Sequence, residues 1–222
     1  MLSVGGFVPF SSTDYPGKLT AVVFVQGCPW RCTYCHNPHL QPRQHQPGSP
    51  RWPDIRARLQ RRQGLLDAVV FSGGEATLDP ALADAVSEVR AMGFAVGLHT
   101  AGMYPQRLRQ LLPYLDWVGL DVKALASAYD ALTGIRGSAE PVQESLRAVL
   151  EAGIAMEVRT TVDPALHPPE QLLQLAHELA AQGVRHYALQ QANSRTHSVP
   201  EYPSASCRAD ISGMFEQFSW RR

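Results

Sequence analysis

Long apolar runs are missing from this sequence, and so is an excess of either charge. No window reaches the roughly 18–20 consecutive apolar residues of a membrane span. Lys+Arg and Asp+Glu both number 20 among 222 residues. That balance argues against a protein whose main task is to coat nucleic acid or an anionic membrane. The first residues, MLSVGGFVPFSSTDYPG, show neither the basic nor the apolar region of a secretion signal. A cytoplasmic location is the expectation. Cysteine is scarce, at four residues, too few to staple a chain of this length. Three of them, Cys28, Cys32 and Cys35, fall within eight residues, and Cys207 stands far away. Clustered thiols in a cytosolic setting point to a metal or redox site. Lysine is scarcer still: Lys18 and Lys123 are the only two.

What is present is enough for a core. The hydrophobic fraction is 45%, which with zero net charge argues against disorder. Thr20–Val25 is a short β-branched apolar run of the kind buried on both sheet faces. Similar runs occupy Asp67–Phe71, Phe94–Leu98, Asp116–Asp121, Ala155–Val162 and Val184–Leu189. Helical spacing marks Pro80–Met92, Pro105–Leu112, Pro141–Ala152 and Pro168–Gln182, each with a proline near its start. Gly93, Gly153 and Gly183 stand where helix ends need a cap. A last helix is expected over Ala209–Phe218. Six strands alternating with helices imply an α/β fold with a parallel sheet. An open doubly wound sheet and a partial barrel of six βα units both fit. No composition break marks a boundary, so residues 1–222 read as one domain. Residues 38–53 read as a loop. The arginines of Arg51–Arg62 read as a solvated helix face, with a docking patch for an acidic partner as the sharper alternative.

The segment Gln26–Pro38 reads QGCPWRCTYCHNP, with its cysteines spaced C-x3-C-x2-C directly after the first of these strands. Three thiolates on one loop can hold three irons of a [4Fe–4S] cluster, and a fully protein-ligated cluster would need a fourth. The missing ligand leaves one iron open to a small molecule. Structural zinc prefers two separated pairs of ligands. His36 adjoins Cys35 awkwardly for that purpose, and His39 and His45 lie in the loop. Other polar residues gather at strand ends, where parallel α/β folds place their chemistry. Ser72-Gly73-Gly74-Glu75 follows the second strand, and alone it reads as a plain turn. His99, Thr100 and Gly102 follow the third. Asp121 and Lys123 end the fourth and point to one face. Glu157, Arg159 and Thr161 share a face of the fifth. Gln190, Gln191 and Asn193 follow the sixth, with His186 a weaker candidate. Cys207 reads as a small buried hydrophobe.

The cysteine loop resembles the signature of the radical S-adenosylmethionine (SAM) superfamily. The longer string QGCPWRCTYCHNP is similar to the activating enzymes of glycyl radical enzymes. GFVPFSSTDYPG at Gly6–Gly17, LHTAG at Leu98–Gly102 and RTTV at Arg159–Val162 look closest to the anaerobic ribonucleoside-triphosphate reductase activating type. The resemblance implies a partial (βα)6 TIM-like barrel. It implies a [4Fe–4S] cluster on Cys28, Cys32 and Cys35, with SAM chelating the open iron. Gly73, Gly74 and Glu75 would hold the amino group of SAM, although Ala76 stands where relatives have proline. Thr100, Asp121, Lys123 and Gln190 would contact SAM, with Ala101 replacing an asparagine of relatives. Arg159 would clamp the carboxylate. The ring of Tyr34 would pack on adenine beside His36. Flavodoxin or ferredoxin would supply one electron, and a backbone glycine of a large partner enzyme would lose a hydrogen atom. The alternatives are a pyruvate formate-lyase-type activase, a small-molecule enzyme such as 7-carboxy-7-deazaguanine synthase, and a non-catalytic zinc module.

Overall fold

The computed structural model describes residues 1–44, 46–192 and 201–222. His45 and Asn193 lie outside the described residues. Eight strands form one sheet in the order of the chain: β1 (Val4–Ser11), β2 (Thr20–Val25), β3 (Ala68–Gly73), β4 (Ala95–Thr100), β5 (Trp117–Asp121), β6 (Ala155–Val162), β7 (His186–Gln191) and β8 (Gln217–Arg221). All neighbours pair in parallel except β1 and β2, which form an antiparallel hairpin. A doubly wound sheet reverses its strand order at a switch point. Here the order never reverses, so the six expected strands, β2–β7, wind as a partial barrel. It stays open, since β1 and β8 are not paired to each other.

The helices are α1 (Trp52–Gln60), α2 (Leu82–Ala91), α3 (Pro105–Leu111), α4 (Tyr129–Thr133), α5 (Ala139–Ala152), α6 (Pro169–Ala181) and α7 (Ala205–Ser212). Prolines open α3 and α6, where a missing N–H costs nothing. Gly93, Gly153 and Gly183 take positive φ just after α2, α5 and α6, as a left-handed cap requires. Each helix turns an apolar stripe to the sheet, as Val142, Leu146 and Val149 do on α5. On α1, Trp52, Ile55 and Leu59 are buried, while Arg51, Arg56, Arg61 and Arg62 on and beside the helix are exposed, as a solvated face requires.

Three elements differ from expectation. The strand β1 was hidden by Gly5, Gly6 and Pro9, residues that weaken strand propensity. The short α4 follows β5 and packs under the cysteine loop, where Thr133 accepts a hydrogen bond from Arg31 N–H. The last helix begins at Ala205, capped by Ser204 accepting from Cys207 N–H, and stops at Ser212. Residues 217–221 form β8 instead of continuing it. Phe218 and Trp220 alternate there with Ser219 and Arg221, a period of two that fits a strand.

Burial separates the faces of α5 energetically. Leu146→Ala should lower the unfolding free energy by about 2–5 kcal/mol. Glu144→Ala, on the exposed face where it pairs with Arg109, should cost about 0.5 kcal/mol or less. Urea denaturation of the two variants checks the assignment.

Candidate functional site

A cavity of about 330 Å³ opens at the carboxyl ends of the strands and reaches down into the barrel. Its wall includes Cys28, Cys32 and Cys35, which are free thiols, together with Tyr34, His36, Gly73, Gly74, Thr100, Asp121, Lys123, Arg159 and Gln190. The fold therefore collects at one place residues that are up to 162 positions apart in the chain.

The cysteine loop is tied to the strand ends by backbone bonds. Gly27 N–H donates to Leu40 C=O and Cys28 N–H to Gln41 C=O, at 2.7 and 3.0 Å. Glu75 N–H donates to Gly27 C=O at 2.9 Å, and Gly74 N–H to Val25 C=O at 3.0 Å. A Cβ on Gly74 would stand 2.3 Å from Gly27 O and 2.8 Å from Leu40 O, both backbone atoms. Glycine is required there because two chains pass at contact distance. Burial pushes the Cys28 thiol up to about 12 and raises Cys32 as well. These groups stay protonated at neutral pH unless a metal's charge draws the thiolates out.

Glu75 does not line the cavity wall. Its carboxylate is turned into the protein, 1% exposed. Oε1 accepts from Thr77 N–H at 3.1 Å, Thr77 Oγ1 at 2.5 Å and Thr100 Oγ1 at 2.6 Å. Oε2 accepts from Ala101 N–H at 2.8 Å. Burial pushes its pKa up, and these four donors oppose that shift. Glu75 thus links the end of β3 to the end of β4, and Thr100 is partly consumed in the same joint.

Asp121 lies between two cations. Lys123 Nζ is 3.4 Å from its Oδ2, and Arg159 Nε and Nη2 are 3.1 and 3.0 Å from its Oδ1. Burial would raise the Asp121 pKa, but Arg159 and Lys123 hold it below the usual carboxylate range. Burial would likewise lower Lys123, yet Asp121 keeps it charged. The three groups sum to one net positive charge. Two buried residues hold the Lys123 backbone: its N–H donates to Tyr129 Oη at 2.8 Å, and its C=O accepts from His167 Nε2 at 2.8 Å. Because a carbonyl only accepts, His167 carries its proton on Nε2, and Nδ1 takes Asp163 N–H. The half-buried Tyr34 ring lies 6.0 Å from Lys123 Nζ and 6.2 Å from the His167 ring.

Lower in the barrel, the hairpin loop before β2 turns inward. Tyr15 stacks on Trp117 at 5.0 Å, and Asp14 C=O accepts from His99 Nε2 at 2.8 Å. Gly119 makes room, since a Cβ there would meet Trp117, Arg159 and His99 within 3.0 Å. Burial depresses the His99 pKa to about 3, helped by Arg159. Sequence reasoning assigned no role to Asp14, Trp117, His167 or Arg221. The alternation of residues 217–221 was the available signal for Arg221. Nothing local marks the others. Gln191 and His186 end and begin β7, and neither joins the cavity wall. Cys207 is buried on α7.

Two outcomes are expected. Glu75→Ala leaves four buried donors unmatched and should cost more than about 3 kcal/mol, read by thermal and urea denaturation, with Glu75→Gln losing less. His99 is neutral when folded, while unfolded it binds a proton below about 6.5. The unfolded state then holds more protons between pH 6.5 and 3, so stability falls as pH drops through that window. Urea titrations across it should show a shallower slope in His99→Gln.

The donor chemistry fits an iron–sulfur group. Three thiols on one loop border a polar cavity, and among the described residues no three His, Cys, Asp or Glu side chains form a candidate site for a metal ion. A cluster gives each thiolate its own iron, so the thiols need not meet. The family model for the radical SAM superfamily matches residues 22–179. A Methanocaldococcus jannaschii protein named as a glycyl-radical enzyme activating enzyme is 30% identical over 78% of this chain and 73% of its own length. The pyruvate formate-lyase-activating enzyme of Clostridium pasteurianum is 32% identical over 69% of this chain. This chain spans 65% of that enzyme, just under two thirds. In fold, the crystal structure of QueE from Escherichia coli superposes with a TM-score of 0.64 at 16% identity, over 97% of this chain and 92% of that one. The open parallel barrel, the three-cysteine loop and these relatives agree, and the chain belongs to the radical SAM superfamily, within its family of glycyl-radical enzyme activating enzymes.

Proposed function

We propose that the chain activates a glycyl radical enzyme, with a [4Fe–4S] cluster held by Cys28, Cys32 and Cys35 and with SAM bound in the adjoining cavity. The observation that carries this reading is the placement of three free thiols on the wall of a cavity that Asp121, Lys123 and Arg159, with one net positive charge between them, also line. When bound, the cluster and SAM supply a single electron and a carbon-centred radical able to remove a hydrogen atom.

The chain's own residues bind, orient and shield. The three thiols provide one ligand each and no fourth. Gly73 and Gly74 leave bare backbone beside the thiols, open to an ammonium group. Lys123 and Arg159, paired among the described residues with the single carboxylate of Asp121, attract a further carboxylate. Tyr34 offers a ring face for adenine, and His36 and Thr100 also line the cavity. Glu75 acts through its joint to Thr100 and Ala101, keeping Gly73 and Gly74 in place. Tyr15, stacked on Trp117, and Asp14, bonded to His99 through its C=O, pack into the lower barrel.

The partner in this reading is the anaerobic ribonucleoside-triphosphate reductase, supported by GFVPFSSTDYPG, LHTAG and RTTV. Flavodoxin or ferredoxin is the electron donor. Reconstituted anaerobically, wild type should hold about four irons per chain and cleave SAM under dithionite. Cys32→Ala should lose both properties. Equal cleavage by the two proteins would overturn the cluster assignment. Mixing wild type with reductase or with pyruvate formate-lyase and recording electron paramagnetic resonance identifies the partner by its glycyl doublet.

A further inference from the structure

Three cavity residues stand in one register row across the last three strands. Thr161 of β6 pairs with Gln190 of β7, and Gln190 pairs with Arg221 of β8. All three line the cavity. Neighbouring strands lie about 4.8 Å apart, so the row spans about 10 Å. Among the described residues, the side chains of Thr161 and Gln190 have no hydrogen-bond partner. Arg221 makes one contact, from Nη2 to Glu157 Oε2 at 2.7 Å. Its other guanidinium N–H groups are unmatched among the described residues.

Glu157 is unusual. It is 7% exposed, and its Oε1 is buried without a partner among the described residues. A half-satisfied buried carboxylate is costly. Its visible effect is to fix Arg221, which stands next to the last residue of the chain, against the barrel wall.

Charge divides the cavity. Asp121, Lys123 and Arg159 sum to one positive charge, while Arg221 and Glu157 sum to zero, and Asp14 adds one carboxylate to the lining. An anionic carboxylate is drawn to the first group. The second suits uncharged dipoles. A peptide unit is such a dipole, with one N–H and one C=O. The Gln190 amide carries both complements, Arg221 donates to a carbonyl, and Thr161 does either.

We propose that the row Thr161–Gln190–Arg221, with Arg221 aimed by Glu157, receives the backbone of the glycine-bearing peptide segment that the enzyme acts on. A glycine can press its backbone onto such a row because it has no side chain. Gln190, which the family resemblance sets against SAM, belongs in this assignment to the substrate. The proposal rests on the activase reading above.

The test uses reconstituted protein with SAM. The probes are fluorescein-labelled heptapeptides copied from the glycine loops of anaerobic ribonucleotide reductase and pyruvate formate-lyase. Fluorescence anisotropy gives the peptide Kd, and calorimetry gives the SAM Kd. Losing one charged hydrogen bond, Arg221→Gln should weaken peptide binding ~10-fold or more. Gln190→Leu should weaken it about 3- to 10-fold, with the SAM Kd near wild type in both and the melting temperature near wild type in Gln190→Leu, whereas Arg221→Gln, which leaves the buried Glu157 carboxylate without its partner, should melt lower. The exchange Glu157→Arg with Arg221→Glu restores the ion pair and any purely structural tie, but should not restore peptide binding. Unchanged peptide affinity in Arg221→Gln and Gln190→Leu overturns the row alone. A parallel loss of SAM affinity also overturns it, because the row then holds SAM. Wild type that binds neither peptide overturns the activase reading and the row together.

Discussion

Four hydrogen bonds converge on the carboxylate of Glu75, and the upper end of the barrel is assembled on that joint. Two come from Thr77, in the turn that follows β3, and two from Thr100 and Ala101 at the end of β4. The same residue's N–H reaches Gly27, one position before the first cysteine. A carboxylate buried to 1% exposure tolerates that position only because donors surround it. Three segments separated by tens of residues are thereby held in fixed relation: the cysteine loop, the double glycine and the β4 end. A motif that looks like a ligand cradle is also a structural node, with its backbone facing the cavity and its side chain facing the protein.

The polar cluster on β5 and β6 follows a different logic. Asp121, Lys123 and Arg159 are mutually paired, and such pairs contribute little net stability once desolvation is counted. Their arrangement makes sense as pre-organisation. In the proposed reading the charges are gathered before SAM arrives; His167 and Tyr129 fix the Lys123 backbone from both sides. Gly119 serves the same end by leaving space for the Arg159 guanidinium to lie over the β5 backbone, where it donates to Gly119 C=O.

The two sides of the cavity are chemically distinct because different strands line them. Strands β2 and β3 present thiols' neighbours and bare glycine backbone, whereas β6, β7 and β8 present a row of hydrogen-bonding side chains. Strand β8 adds Arg221 to that wall.

The sequence by itself determined the six parallel strands, the helices between them and the thiol spacing of the cysteine loop. Those features are local: β-branched runs, helical spacing, proline at helix starts, glycine at helix ends and thiols at fixed intervals. It also marked Asp121, Lys123 and Arg159, since strand-end position and face follow from a period of two. It did not reveal β1, whose glycines and proline blur the strand pattern, and it took β8 for a helix end. Only the tertiary structure decided that the Glu75 side chain turns inward, that Arg159 clamps Asp121, and that Asp14, Trp117, His167 and Arg221 join or brace the site. Each of those outcomes depends on which distant groups a curved sheet brings within hydrogen-bond reach, and burial sets their protonation. No local pattern encodes that, because the partners are separated by tens of residues and meet only after the strands have wound.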